Sequence, residues 1–228
     1  EGKEGGAATS AIHGAFLLER SKTVHFVRHA EGHHNVAAKK HVRGSPQYEA
    51  ALNQPSFFDA RLSPHGEEQC RDLRKISDHV DYSLAIVSPL TRTLQTYTLG
   101  FRERKDIPII ALEHVRERFG KHPCDSRRPV HELIQDFPHV NFTLIPAGDD
   151  PHLCRPENCP PREPDADVDV RVKRFLEFLA SRPEKEILVV SHSSFLARMF
   201  EEHFKWEERH GKARFENAEL RSVVIPFR

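Results

Sequence analysis

The stretch TVHFVRHAEGHHN, residues 23–35, joins a short apolar run to a polar cluster. The run TVHFV, residues 23–27, is rich in β-branched and aromatic residues, as buried strands commonly are. The cluster RHAEGHHN, residues 28–35, follows at once and brings charged side chains and three histidines. This pattern predicts a β-strand that ends at a functional loop.

Strand and helix signals alternate outward from this stretch. Ser63-Pro64 supplies an N-cap and a first-turn proline for a helix, and Ser88-Pro89 repeats that signal for a helix reaching about Leu99. Further strands are predicted at Leu84–Val87, Ile107–Leu112, Ile187–Val190 and Leu220–Ile225, and further helices at Val130–Phe137, Val170–Ser181 and Phe195–Phe204. The alternation predicts an α/β fold with a mostly parallel central sheet and helices on both faces.

The chain length of 228 residues fits one domain. Residues 1–22 begin with EGKEGGAATS, which lacks the features of a signal peptide, and we interpret them as a flexible lead-in. Residues 23–228 are expected to form a single domain. A span at about 119–169 breaks the alternation and holds most of the prolines, so it predicts an insertion over the rim where the strands end.

Composition excludes several classes of protein. Lysine plus arginine number 34 and aspartate plus glutamate also number 34, so no net field favours nucleic acid or an anionic membrane as a partner. No apolar run approaches the roughly 18 residues of a membrane span. The four cysteines, at positions 70, 124, 154 and 159, are too few and too irregular for a disulfide scaffold, so we expect reduced thiols and a cytoplasmic location. No sequence feature indicates an oligomeric state.

Three reactive clusters follow predicted strands. Arg28-His29 follows residues 23–27, Arg92 lies shortly after the strand at 84–87, and His192 comes soon after the strand at 187–190. Ligands bind where loops leave the carboxyl ends of parallel strands, so these side chains are expected to meet at one rim. Arginine binds phosphoryl oxygens bidentately, and a neutral imidazole can attack phosphorus. The cluster therefore predicts a phosphoryl-binding pocket.

Four ordered motifs resemble those of the histidine phosphatase, or phosphoglycerate mutase-like, superfamily. They are RHAEGHHN at 28–35, SPLTRTLQT at 88–96, RERFGKHPCDSRR at 116–128 and SHSSFL at 191–196. Together with NAELRSV at 217–223, they are similar to a phosphoglycerate mutase-like branch found in plants, fungi and protists. The resemblance extends from about Thr23 to Ile225 and implies a phosphoglycerate mutase-like fold.

The resemblance also implies a role for each motif residue. His29 would be the nucleophile that becomes phosphohistidine. Arg28, Arg92 and His192 would hold the phosphoryl oxygens, with Asn35 as an auxiliary contact. Phosphoryl transfer depends mainly on positioning and charge stabilisation, so these cations would act without a metal ion or other cofactor.

Glu117 would be the general acid and then the base, by its place before GKHPCD. Glu113, four residues earlier, is the alternative carboxylate. Ser193 and Ser194 could donate to phosphate or cap the following helix. Glu31 is expected to orient an arginine.

Other readings of the sequence stay open. Histidines 33, 34, 122 and 152 with cysteines 124, 154 and 159 could ligate a metal, but they lack paired CxxC units, so surface histidines and free thiols are favoured. A noncatalytic phospholigand-binding module would need only the arginines, whereas His29 and an acid are also present.

The resemblance leaves two reactions to weigh. Related mutases resemble RHGExxWN, whereas this chain has His34 before Asn35 and its only tryptophan is Trp206. Arg127 and Arg128 could grip a substrate carboxylate, as in mutases, or form a solvated basic turn. We predict a phosphomonoester hydrolase that acts through phosphohistidine on a small phosphorylated metabolite, with cofactor-dependent phosphoglycerate mutase as the second reading. The insertion would set substrate selectivity.

Overall fold

A computed structural model describes residues 21–101, 107–155, 158–206 and 211–227. One five-stranded sheet has the order β3-β2-β4-β1-β5. Its strands are β1 (Ser21–Arg28), β2 (Leu84–Val87), β3 (Ile109–Ala111), β4 (Glu186–Ser191) and β5 (Leu220–Pro226). The pairs β1–β4, β2–β4 and β2–β3 are parallel, and β5 pairs antiparallel with β1. The predicted mostly parallel sheet is confirmed.

Helices cover both faces of this sheet. They are α1 (His33–Ala38), α2 (Pro46–Leu52), α3 (Pro64–Ser77), α4 (Thr91–Gly100), α5 (Val130–Asp136), α6 (Asp165–Ser181) and α7 (Ser193–Arg198), which continues into a π-helical turn at Met199–His203. Short 3-10 helices lie at Pro55–Phe57, Glu113–Val115 and Pro123–Asp125. At α3 the predicted cap is confirmed, because the Ser63 hydroxyl accepts the Gly66 N–H and Pro64 occupies the first turn.

Alternate side chains of the strands pack into two hydrophobic cores, one on each face of the sheet. Val24 and Phe26 of β1 pack on one face with residues of α6 and α7. Val27 of β1 and Val190 of β4 pack on the other face with residues of α4 and α5. Successive strand side chains point to opposite faces, which is why one apolar strand serves both cores. The two cores hold the carboxyl ends of the parallel strands at a common rim.

Several predicted boundaries were wrong. Helix α4 begins at Thr91 and not directly after the predicted cap, Ser88. Its first turn is capped by a residue distant in sequence, because the Asp59 carboxylate accepts the Thr91 N–H at 2.8 Å. Helix α6 begins at Asp165, five residues before the predicted Val170, so it takes in the end of the predicted insertion. Helices α1 and α2 were not predicted, because their apolar faces are short. Strand β1 begins inside the predicted lead-in, at Ser21, and residues 1–20 lie outside the described residues.

The cysteines divide into two groups. Cys154 and Cys159 form a disulfide, so the expectation of reduced thiols is wrong for this pair. Cys70 and Cys124 are free and buried. A pair separated by five residues can meet only if the local backbone folds back on itself, which the spacing alone does not reveal. The prediction of a cytoplasmic location thus loses part of its basis.

Within the described part of the chain, no helix is long and apolar enough to cross a membrane.

Candidate active site

A cavity of about 280 Å³ lies at the rim where the parallel strands end. Arg28 ends β1, His29 follows it, and both line the cavity. Arg92 in the first turn of α4 and Glu117 beyond β3 line it as well. The sheet topology thus brings together side chains that are distant in sequence, at the position where parallel sheets bind ligands.

His29 is held as a neutral imidazole. The ring is 2% exposed, and Nδ1 lies 2.7 Å from the carbonyl oxygen of Ala30, which makes Nδ1–H the donor. The Arg92 Nε–H donates to Nε2 across 3.3 Å, so Nε2 carries the lone pair. Burial lowers the pKa of His29 well below 6.5, and the charges of Arg92 and Arg28 lower it further. Nε2 is therefore the ring nitrogen that has a lone pair at neutral pH.

Arg92 is fixed by three contacts of its guanidinium. Besides its bond to His29, it donates through Nη1 to the carbonyl oxygen of Cys124 and through Nη2 to Asp125 Oδ1 at 3.0 Å. The side chain is 1% exposed. A buried arginine needs a buried counterion, and Asp125 supplies it.

Arg28 keeps donors for a ligand. Its Nη1 donates to the carbonyl oxygen of Phe215 at 2.8 Å, and its Nε is buried without a hydrogen-bond partner among the described residues. Burial lowers the pKa of Arg28, and the charge of Glu117 opposes that shift. The guanidinium remains a cation beside His29, where it can bind an anion.

His192 lies fully buried beside His29. The centroids of its ring and the His29 ring are 5.1 Å apart. Its Nε2 lies 2.7 Å from the Ser88 hydroxyl, and its Nδ1 has no hydrogen-bond partner in the described chain. Burial, then the charge of Arg92, lowers the pKa of His192 well below 6.5. Contact with phosphate stays a prediction, because His192 is not among the described residues that line the cavity.

The structure distinguishes the two candidate carboxylates. Glu117 lines the cavity and is 7% exposed; its Oε1 accepts the N–H of Arg118 at 2.8 Å, and its Oε2 accepts the N–H of Ser194 at 3.1 Å. Glu113 instead pairs with Arg116 at 3.0 Å and with Arg127 at 2.8 Å. Of these two carboxylates, only Glu117 lines the cavity.

Asn35 lines the cavity as the motif suggests, although its side chain also accepts the Gly32 N–H at 3.0 Å and so stabilises the start of α1. The expectation for Glu31 is corrected, because its carboxylate pairs with Lys39 and accepts the hydroxyl of Ser63 rather than orienting an arginine.

Arg127 and Arg128 do not reach the cavity. Arg127 is buried, with Nε 2.8 Å from Glu113 Oε1, and it donates from Nη1 to the carbonyl oxygen of Gly148 and from Nη2 to the carbonyl oxygen of Pro146. Arg128 pairs with Asp59 at 3.2 Å and with Asp136 at 2.9 Å. Within the described chain, neither side chain lines the cavity, and neither forms the solvated turn that was the alternative. Their contacts join residues 127–128 to Glu113, to Asp59 and to helix α5.

Sequence reasoning missed the cations that the insertion and α1–α2 region contribute. Arg162 lines the cavity and donates to Asp125 Oδ2 at 2.7 Å and to the carbonyl oxygen of Gly120 at 3.1 Å. Arg43 and Lys121 line it too. Burial would raise the pKa of Asp125, but Arg162 above all holds it well below the usual range. No local pattern marks Arg162, because only the return of the chain after the disulfide places it here.

The proposed metal ligands are not gathered. His122 pairs with Glu49 at 3.0 Å, and the His152 ring stacks on Phe119. Cys154 is taken by the disulfide. Among residues 21–101, 107–155, 158–206 and 211–227, no three His, Cys, Asp or Glu side chains form a cluster that could hold a metal ion.

Comparison with known proteins identifies the family. The chain matches the model of the histidine phosphatase superfamily (branch 1) over residues 24–226 and belongs to that superfamily. It is 34% identical over 250 residues to a phosphoglycerate mutase-like protein of Arabidopsis thaliana, with 93% of this chain and 87% of the relative covered. The resemblance inferred from the motifs is confirmed.

Two solved structures share the fold. Phosphoglycerate mutase from Bacillus anthracis matches with a TM-score of 0.57 at 17% identity, over 91% of this chain and 89% of that one. Alpha-ribazole phosphatase from Shigella flexneri matches with a TM-score of 0.53 at 20% identity, over 88% of this chain and 89% of that one. One fold therefore carries proteins named as mutases and proteins named as phosphatases.

Proposed function

We propose that this protein is a phosphomonoester hydrolase that acts through a phosphohistidine on a small phosphorylated metabolite. The observation that carries the proposal is the neutral His29, which lines a cavity together with Arg28, Arg92 and Glu117 and whose Nε2 carries the lone pair. A binding module would need the arginines but not a nucleophile and a buried carboxylate. The cavity volume of about 280 Å³ suits a small substrate.

In the first step, Nε2 of His29 attacks the phosphorus atom, and the bond from phosphorus to the ester oxygen breaks. Arg28 and Arg92 stabilise the negative charge on the phosphoryl oxygens during the transfer. Glu117 gives its proton to the departing oxygen, which leaves as an alcohol. The Ala30 carbonyl, which accepts Nδ1–H, stabilises the positive charge that the imidazole acquires.

In the second step, water attacks the phosphorus atom of phosphohistidine. The Glu117 carboxylate takes a proton from that water, the bond from phosphorus to Nε2 breaks, and inorganic phosphate leaves. Glu117 thus acts as an acid in the first step and as a base in the second. Its position on the cavity wall allows it to serve in both.

Hydrolysis is favoured over mutase activity by the placement of the arginine pair. The mutase reading depended on Arg127 and Arg128 as contacts for a substrate carboxylate. Both side chains are instead committed to ion pairs and main-chain carbonyls. This removes the sequence feature that supported isomerisation.

The test compares the two reactions on the same substrate. Purified protein is incubated with 3-phosphoglycerate, with and without the bisphosphate cofactor, and with a panel of small phosphomonoesters. We expect release of inorganic phosphate from at least one phosphomonoester to exceed any interconversion of 3- and 2-phosphoglycerate. Interconversion much faster than phosphate release from every substrate would overturn the proposal in favour of a mutase. The Arg127→Gln variant is the accompanying probe, since a substrate contact there would raise KM for 3-phosphoglycerate specifically.

A further inference from the structure

His34 is a buried polar side chain that the mechanism above does not use. It lines the cavity and is 5% exposed. Its Nδ1 is buried and has no hydrogen-bond partner among the described residues. Buried side-chain nitrogens are nearly always bonded, because an unpaired one forfeits its interaction with water. A buried N–H without a partner is rarer than a buried acceptor without one, so the proton of the neutral ring is expected on the other nitrogen, Nε2.

The Nδ1–Cε1 edge of the ring lies beside Gly32. A Cβ atom on Gly32 would lie 2.8 Å from both Nδ1 and Cε1 of His34. Because Nδ1 is also buried, a ligand in the cavity does not reach it. Nε2, on the other side of Cε1, is not among the buried unpartnered atoms and is the nitrogen that such a ligand can approach.

The protonation state of the ring makes this nitrogen a donor. Burial lowers the pKa of His34 well below 6.5, and the charge of Arg92 adds to the shift, so the ring is neutral at neutral pH. A neutral imidazole carries one N–H. With Nδ1 against the Gly32 backbone, a proton on Nε2 is the one that a ligand in the cavity can use.

The distance to the nucleophile fits one phosphoryl group. The centroids of the His34 and His29 rings are 6.0 Å apart, and the ring planes are inclined by 42°. A phosphorus atom in position for attack lies about 3–3.5 Å from the nucleophile, and a hydrogen bond to one of its oxygens spans about 2.9 Å. The separation of the rings is therefore compatible with one phosphoryl group that contacts both.

We propose that His34 is a substrate-binding residue whose Nε2–H donates a hydrogen bond to a phosphoryl oxygen of the group transferred to His29. The inference rests on the proposed function, because it takes the cavity to be the phosphoryl site. It also gives a purpose to a histidine at the position before Asn35, where the related mutases carry tryptophan. The transferred group would then be bound by Arg28, Arg92 and the neutral imidazole of His34, in addition to the contact predicted for His192.

Three variants separate a donor at Nε2 from a merely structural ring. A glutamine amide nitrogen can stand near Nε2, whereas an asparagine amide nitrogen stands near Nδ1, so His34→Gln keeps the proposed donor and His34→Asn removes it. His33→Gln is the matched control, because His33 is the adjacent exposed histidine and lies outside this cavity. Thermal midpoints are measured for all three variants.

The probe is orthovanadate, which mimics five-coordinate phosphorus, as an inhibitor of 4-nitrophenyl phosphate turnover. We expect His34→Asn to weaken inhibition by about 10- to 100-fold, the range for losing a hydrogen bond to a charged group. His34→Gln is expected to recover most of that loss, and His33→Gln to match the unaltered protein. Equal inhibition of His34→Asn and the unaltered protein would overturn the inference.

A second measurement does not depend on the folding of any variant. In the unaltered protein labelled with nitrogen-15, inorganic phosphate should shift the Nε2 resonance of His34 and leave that of His33 in place. An unshifted His34 resonance at saturating phosphate would contradict the contact. If the unaltered protein showed neither phosphate binding nor phosphohistidine, the proposed function would fail instead, which distinguishes the two outcomes.

Discussion

Replacement of Glu117 by glutamine tests the general acid with little change of shape. The carboxylate accepts one main-chain N–H on each oxygen, from Arg118 at 2.8 Å and from Ser194 at 3.1 Å. Glutamine has one oxygen and one NH₂ group, so one of these two N–H groups would face another donor. We expect a loss of stability of about 1–3 kcal/mol from that mismatch, well short of unfolding a domain of ordinary stability.

The catalytic effect depends on the leaving group. Alkyl alkoxides are too basic to depart without a proton, and removal of a general acid slows such reactions by about 10² to 10⁴ fold, or about 3 to 5 kcal/mol of barrier. Nitrophenolate leaves unaided. Glu117→Gln should therefore slow phosphorylation by an alkyl phosphate far more than phosphorylation by 4-nitrophenyl phosphate.

The assay must isolate the first step. Rapid-quench single turnover follows the rate at which phosphohistidine forms, whereas steady-state rates would also report the base role of the same carboxylate in the second step. Glu113→Gln is the control, since that carboxylate pairs with Arg116 and Arg127 rather than lining the cavity. Equal slowing of both substrates in Glu117→Gln would refute the acid role, and selective slowing in Glu113→Gln would move the role four residues upstream.

Three further predictions concern stability and pH. Asp125→Asn leaves buried Arg92 without its countercharge, so denaturant melts should show a loss of about 3–5 kcal/mol, while the exposed Asp72→Asn control keeps its midpoint. His29, His34 and His192 are buried, and each has a folded-state pKa below 6.5. The unfolded chain therefore binds more protons than the folded chain once the pH falls below 6.5. As the pH is lowered further, the free energy of unfolding should fall by roughly 1.4 kcal/mol per pH unit for each of these histidines. Reduction of the Cys154–Cys159 disulfide should cost about 2 kcal/mol and weaken orthovanadate inhibition, because the same segment carries Arg162.

Each of these has a contradicting result. An Asp125→Asn midpoint equal to that of the unaltered protein would mean that Arg92 finds another partner. Stability that is flat from pH 7.5 to 5.5 would mean that the buried histidines titrate normally. If orthovanadate inhibition were unchanged after reduction, the disulfide would not be needed to hold Arg162 at the cavity.

The elements that the sequence predicted well depend on local chemistry. The Ser63-Pro64 cap acts within one helical turn, and the strand before Arg28 is rich in β-branched and aromatic residues, so neighbouring residues suffice to identify both. The start of α4 was missed because its cap, Asp59, lies 32 residues before Thr91. A contact between residues so far apart in sequence cannot be recognised from the local sequence pattern.

The same distinction, between local patterns and long-range contacts, applies to the candidate site residues. Arg28, His29 and Arg92 were predicted to meet at one rim because each lies at or shortly after the end of a predicted strand, and the structure places all three at the cavity. Arg162 was missed because its place depends on how the chain before α6 folds back over Gly120. Arg127 was considered either a substrate contact or part of a solvated basic turn, whereas it lies outside the cavity and its charge is met by Glu113, a partner that only the tertiary structure identifies.

The central claim is that the phosphoryl group passes through Nε2 of His29. The direct measurement mixes the protein with radiolabelled substrate, quenches within milliseconds, and recovers the denatured protein under acid and under base. We predict a label that is stable in base and lost in acid, as a phosphoramidate is, and that is absent from a folded His29→Ala variant. A normal amount of labelled adduct in His29→Ala, or a label that is stable in acid, would contradict the account.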